Sequence, residues 1–241
     1  MAVPEPEYLA DTFATVAREM EAAADPQATC QVVIRSAVEL VPGCDYAGIT
    51  LIHDRGKIDT VAATDESVRH ADAIQYELGE GPCLGALTED GTYGIDDLRA
   101  EVRWPRFTRR ATTETDILSV LALQLFTSAE VRGALNLYSR APNAFDAHSR
   151  AVGEIMAAHA ALGLLAALEH DRNYNLQAAL ENSRQIGIAI GILMSSQRLT
   201  REQAVSFLIN VSQRLNRKLR DVAGVIADAG GIPDDLSDHS S

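Results

Sequence analysis

The chain predicts an α+β fold for its N-terminal two thirds and an all-α segment for the rest. Two observations carry this expectation. First, the hydrophobic pattern runs helix, helix, strands, helix, strands, helix, with few of the strand–helix–strand units that build parallel sheets. Second, residues 146–196 contain no proline and hold a helical pattern almost without interruption. The architecture expected is an antiparallel sheet flanked by helices, then a long connector helix, then three short C-terminal helices of which the connector supplies the first.

The elements follow in order. Residues 8–24 place Leu9, Phe13, Val16, Ala17 and Met20 at helical spacing, and Asp25-Pro26 ends the run. A second helix over 27–41 carries Val32, Val33, Ala37, Val38 and Leu40, and Pro42-Gly43 stops it. Residues 46–52 (YAGITLI) and 57–64 (KIDTVAAT) read as strands around a turn at Asp54-Arg55-Gly56. A helix over 65–77 precedes a forced loop at Gly79-Glu80-Gly81-Pro82. Strands are expected at 92–96, 117–125 and 132–138, the last two paired across a turn at 128–131. From residue 146 the connector could extend roughly 75 Å. A stripe of Leu176, Ala179, Ser183, Ile186, Ile190 and Leu193 gives it a partial heptad, which predicts pairing with a second copy, although a core-facing helix gives a similar stripe. A kink at Asp171–Asn173 is the other reading of this segment. Domain bounds are set at 1–25 for the N-terminal helix, 26–170 for the α+β domain, 171–233 for the helical domain and 234–241 for a disordered tail.

In the last part, Thr200-Arg201-Glu202-Gln203 is a capping box. Ala204, Phe207, Leu208 and Val211 form the apolar face that follows, and Asn216 is a candidate cap for the last helix, which ends at Gly230.

Composition excludes several function classes. Hydrophobic residues make up 46% and charged residues 23%, as in a globular protein. The three cysteines (Cys30, Cys44, Cys83) are widely spaced, with no CxxC pair, so neither a disulfide framework nor a zinc site is expected. No basic segment precedes an apolar one at the start, and no uninterrupted run of membrane-spanning length occurs, so a cytoplasmic protein with no membrane partner is the expectation. The histidines (53, 70, 148, 159, 170, 239) are scattered, and no P-loop, GxSxG or HExxH is present. No catalytic residue, metal ligand or cofactor is therefore assigned.

The net charge of −13 argues against a nucleic-acid partner until its distribution is examined. Residues 1–181 carry 14 basic and 28 acidic side chains. Residues 182–220 carry seven basic ones (Arg184, Arg198, Arg201, Arg214, Arg217, Lys218, Arg220) against Glu202 alone. A net of −14 is followed by a net of +6 in under 40 residues, which is the electrostatic footprint of a nucleic-acid-binding module or, equally, of a solvated helix face.

The run Arg184-Gln185-Ile186-Gly187-Ile188-Ala189-Ile190-Gly191-Ile192-Leu193-Met194, then Thr200 to Ala204, then Ser212 through Asn216-Arg217-Lys218-Leu219-Arg220-Asp221-Val222-Ala223, resembles the ANTAR domain over about the last 60 residues. That resemblance implies a three-helix module that binds paired RNA hairpins in nascent transcripts and favours antitermination. Ala189, Gly191, Leu193, Met194, Ala204 and Ala223 match its signature and read mostly as packing. The candidate RNA contacts are Arg184, Ser212, Asn216, Arg217, Lys218 and Arg220, the basic ones for phosphate. Asn216 has a competing role as a cap, and Arg184 can pair with Glu181. Ile190 departs from the family, where many members carry Lys or Arg, and removes one phosphate contact.

Residues 27–169 resemble a GAF domain, a small-molecule sensor fold. The matching features are Tyr46-Ala47-Gly48-Ile49, the Leu78-Gly79-Glu80-Gly81-Pro82-Cys83 loop, Trp104-Pro105-Arg106-Phe107 and the Arg132–Tyr138 strand. The resemblance implies a pocket near Leu78, Cys83, Leu87 and Tyr93, for a ligand or protein signal that the residues do not identify. Cys83 reads as a redox or ligand contact or, with nothing basic beside it, as an inert buried thiol. The rival readings of the whole chain are a DNA-binding helix–turn–helix regulator and a protein-interaction signalling module.

Overall fold

The computed structural model describes residues 6–52, 56–88, 91–125, 132–233 and 236. The turns expected at 54–55 and 128–131, and the tail apart from Leu236, lie outside the described residues. The chain forms two compact units, Met1–Asp171 and Arg172–Ser241, each with its own core.

The first unit is built on α1 (Pro6–Glu21), α2 (Pro26–Leu40), β1 (Tyr46–Ile52), β2 (Ile58–Ala63), α3 (Glu66–Leu78), α4 (Pro82–Thr88), β3 (Thr92–Ile95), α5 (Pro105–Glu114), β4 (Ser119–Leu125), β5 (Arg132–Ser139) and the start of α6 (Ala147–Gln197). The sheet order is β2-β1-β5-β4-β3, and every neighbouring pair is antiparallel. Alternation sorts the strands' side chains onto two faces. Ala47, Ile49, Leu121, Leu123, Leu135 and Leu137 join Phe13 and Met20 of α1, Val33 and Ile34 of α2 and Met156 of α6 in one core. On the other face, Val120 and Tyr138 pack with Val68, Ile74 and Phe107 of α3 and α5. The N-terminal helix is thus part of this core, and not a separate piece ending at residue 25. Gly48 permits the close approach of α3: a Cβ there would lie 2.5 Å from Val68 Cγ1.

Local chemistry sets the helix ends. Asp25 accepts from the Ala28 amide at 2.7 Å, with Pro26 in the first turn of α2. Asp65 does the same for α3 through Ser67 at 2.8 Å, and Gly79 closes that helix at φ +67°. Two helices were not foreseen. The stretch read as a loop continues from Pro82 into α4, placing Cys83 in a helical turn. Helix α5 is too rich in charge and threonine to show a helical stripe. Its first amides, Arg106 N and Phe107 N, are held at 2.6 and 2.8 Å by Glu80 Oε1, 26 and 27 residues away. That contact joins the two motifs read separately from the sequence.

Helix α6 is long and apolar enough, by length and composition alone, to cross a membrane. Its start packs instead as a core helix, with Val152, Met156, Ala157, Ala160, Ala161 and Leu164 buried.

In the second unit, α6 stops at Gln197, Arg198 turns at φ +53°, and Thr200 starts α7 (Arg201–Arg214). The capping box forms as read: Gln203 N donates to Thr200 Oγ1 at 3.3 Å, and Thr200 N donates to Gln203 Oε1 at 2.8 Å. Helix α8 (Leu219–Ala229) ends at Gly230, φ +66°. The core gathers Ala189, Ile190 and Leu193 with Ala204, Leu208, Val211, Val222, Ala223 and Ile226. Leu236 is buried in the same core, and its carbonyl accepts from Arg214 Nη2 at 3.0 Å, so the segment expected to be disordered contributes one anchored residue. The heptad stripe also divides: Ile186, Ile190 and Leu193 turn into this core, whereas Leu176, Ala179 and Ser183 are exposed.

Candidate functional site

The basic residues of the second unit collect at its two helix–helix turns. Between α7 and α8, Arg217 N donates to Ser212 O at 3.0 Å, and Ser212 Oγ donates to Arg217 O at 2.6 Å. This reciprocal pair closes the turn and engages the Ser212 hydroxyl proton in it. Asn216 is not the helix cap. It sits at φ +50°, a left-handed conformation that Asn tolerates, and Lys218 occupies the cap position with no side-chain cap bond. The outcome is that Asn216, Arg217 and Lys218 are consecutive and exposed at the entry to α8. Arg217 and Lys218 have no ion-pair partner among the described residues. Arg220, one turn inside α8, reaches Asp221 at 3.5 Å. Arg184 lies on α6, 3.7 Å from Glu181, with both side chains exposed; such a pair holds the guanidinium weakly. A helix entry with free amides and two unpaired cations is suited to phosphate.

Of the signature residues, Ala189, Leu193, Ala204 and Ala223 are fully buried, as packing requires. Gly191 and Met194 are not. Met194 is 41% exposed, and a Cβ on Gly191 would meet nothing within 4 Å, so close helix packing within this unit does not explain either. Ile190, at the position where the family often carries a cation, is buried in the core.

In the first unit, Cys83, Leu87 and Tyr93 come together with Ala86, Ala122 and Ala134 under α4. Leu78 packs elsewhere, beside Trp104 against the α3–α5 core. Beside Cys83 lies a buried polar network that sequence reasoning missed. Its centre is Asp72 of α3, which takes hydrogen bonds from Tyr138 Oη, from Thr60 Oγ1 at 2.8 Å, and from Thr50 Oγ1 and Gln75 Nε2 at 3.4 Å. Tyr76 Oη bridges the Thr50 and Thr60 hydroxyls at 2.9 and 2.8 Å. Asn136 Nδ2 donates to Thr50 Oγ1 at 3.2 Å and to Cys83 Sγ at 3.1 Å. Gln75 Oε1 accepts from Cys83 N at 2.9 Å, and Gly81, at φ +145°, leaves space that a Cβ would fill 2.3 Å from that oxygen. An available signal was the placement of Asp72 among the apolar positions Val68, Ala71 and Ile74 of its helix.

Burial raises the Asp72 carboxyl to about 6, against the lowering effect of its Tyr138 and threonine donors. The same burial, with the Asp72 charge beside it, pushes the Cys83 thiol well up, so it is a poor nucleophile. Because the folded state favours neutral Asp72, this group's stabilising contribution is complete below its unfolded pKa near 4 and is lost as pH rises through about 6. The loss is roughly 3 kcal/mol. Asp72→Asn should therefore flatten the pH dependence of first-unit stability between about pH 4 and 6, relative to the native chain, in urea denaturation followed by Trp104 fluorescence.

Comparison with known proteins agrees with this geometry. The GAF domain family profile matches residues 23–164, and the ANTAR domain profile matches residues 175–226. No curated protein matches the chain. The GAF domain of a phosphoenolpyruvate-protein phosphotransferase from Coxiella burnetii is similar, at 16% identity and TM-score 0.51 over 70% of this chain and 96% of that one. The corresponding Acinetobacter domain gives 14%, 0.52, 69% and 97%. Free methionine-R-sulfoxide reductase from Neisseria meningitidis, solved with its substrate, gives 14%, 0.51, 70% and 96%. At these identities the likeness shows the fold alone. The chain belongs to the GAF domain family, and an ANTAR domain follows its GAF domain.

Proposed function

We propose that this protein is a signal-responsive RNA-binding regulator of the cytoplasm, acting as a transcription antiterminator by holding paired hairpins in nascent transcripts. The observation that carries the reading is the exposed, unpaired Arg217 and Lys218 at the α8 entry of a +6 segment in an otherwise acidic chain. In RNA recognition, such groups hold the backbone while polar neighbours, here Asn216 and Ser212, meet unstacked bases. With no aromatic after Phe207, base stacking falls to arginine planes. Arg220 and Arg184 extend the same basic surface along α8 and α6.

The protein acts as a homodimer in this reading. Tyr174, Leu176 and Leu180 of α6 are more than half exposed, which is costly for a helix that stays single. Two modules on one dimer would engage two hairpins and gain effective concentration. Paired-hairpin RNA should then bind about 100-fold tighter than a single hairpin, in a complex holding two chains. Binding assays combined with light scattering check this. Equal affinity for one hairpin and two, or displacement of the RNA by duplex DNA, contradicts the reading; the latter would favour a DNA-binding regulator.

A further inference from the structure

We propose that the buried network around Asp72 binds a small organic cation bearing an ammonium or amidinium group, and that this is the class of signal the GAF domain reads. The proposal rests on the sensor role above and names its ligand chemistry.

The first argument is charge. Asp72 is wholly buried, and every donor to it is neutral: Tyr138, Thr60, Thr50 and Gln75. Arg69, on the same helix, donates to the Thr60 carbonyl at 2.9 Å from an exposed position. The remaining groups around the carboxylate are the Tyr76 phenol and the Cys83 thiol. A carboxylate desolvated without a counter-ion is among the most costly features a core can hold, and a cationic ligand offsets that cost directly.

The second argument is an unused acceptor. Asn136 is 0% exposed, and its Oδ1 has no hydrogen-bond partner, although its Nδ2 is satisfied twice. Buried amide oxygens are rarely left so. Asp72 and Asn136 share the Thr50 hydroxyl, so one ligand nitrogen group with several N–H bonds can address both. An anion has no comparable partner here, because the amide at the start of α4, Cys83 N, is already taken by Gln75. The third argument is access. Thr60 and Tyr76 are the half-buried members of the network, and rotation of the Tyr76 phenol exposes the carboxylate without disturbing the sheet.

The sign of the pH dependence follows. The cation needs Asp72 ionised, so binding strengthens as pH rises through about 6 and releases one proton below it. The test uses the full chain with methylammonium, putrescine and agmatine, sodium chloride matching the ionic strength, at pH 5 and pH 7.5. At least one amine at ~100 times its Kd should raise Tm by roughly 5 °C at pH 7.5. The shift should be smaller at pH 5 and absent in Asp72→Asn. Carbon-13 NMR of the native chain provides a readout that needs no variant: the amine should move the Asp72 carboxyl titration to lower pH. If no amine alters Tm or that titration, the proposal is overturned. A neutral or anionic molecule that then shifts Tm leaves the sensor role intact with another ligand class. A chain that no small molecule shifts loses the ligand-sensing part of the reading as well.

Discussion

Leu193→Ala will destabilise the C-terminal unit by roughly 2–5 kcal/mol, whereas Met194→Ala beside it will cost under about 0.5 kcal/mol. Both residues belong to the same signature and sit one position apart on α6. Leu193 is 0% exposed in a core shared by α6, α7 and α8, and its removal leaves a cavity that three short helices can only partly fill. Met194 is 41% exposed, so truncation forfeits little buried area. A unit of this size has little stability in reserve, so the Leu193 loss consumes a large share of it. The chain supplies separate reporters, because its one tryptophan, Trp104, lies in the first unit. The Leu193→Ala chain should lose helical circular dichroism at lower urea while the Trp104 transition stays in place. An equal cost at Met194, or a matching shift at Trp104, would contradict the burial account.

This contrast also shows how much the sequence carried. Both family resemblances were legible because their motifs are local: the α7 capping box, the strand runs and the Gly-rich turn each fit within a few residues, and each is found where read. What escaped depended on distant partners. Helix α5 has weak periodicity of its own and is capped by Glu80 from another loop. The Asp72 network draws on α3, β1, β2, β5 and α4, so no single window contains it. Asn216 was read as a helix cap on residue type alone, but the left-handed turn that Asn equally favours moved the cap to Lys218.

The signature residues divide for a related reason. A helical stripe tells which residues share a face but not what covers that face. Ile190 illustrates it: absence of a cation reads as a lost phosphate contact, while the fold places the side chain among the core residues of the three helices. RNA affinity should then rest on the two turns, and above all on the α8 entry, where Arg217 and Lys218 lack competing partners among the described residues.

That placement gives the second large effect. Arg217→Ala/Lys218→Ala should weaken binding of paired-hairpin RNA on the order of tenfold or more at low salt, while leaving the fold intact, since both side chains are exposed. The direct measurement is a salt titration of RNA binding by the native chain and this variant. Two lost phosphate contacts should flatten the log–log slope by about 1.4–1.8. A flatter slope with weaker binding places the phosphates at the α8 entry, as the account requires. An unchanged slope, or native protein that binds no hairpin RNA at any salt concentration, contradicts it and leaves the basic face to a protein partner.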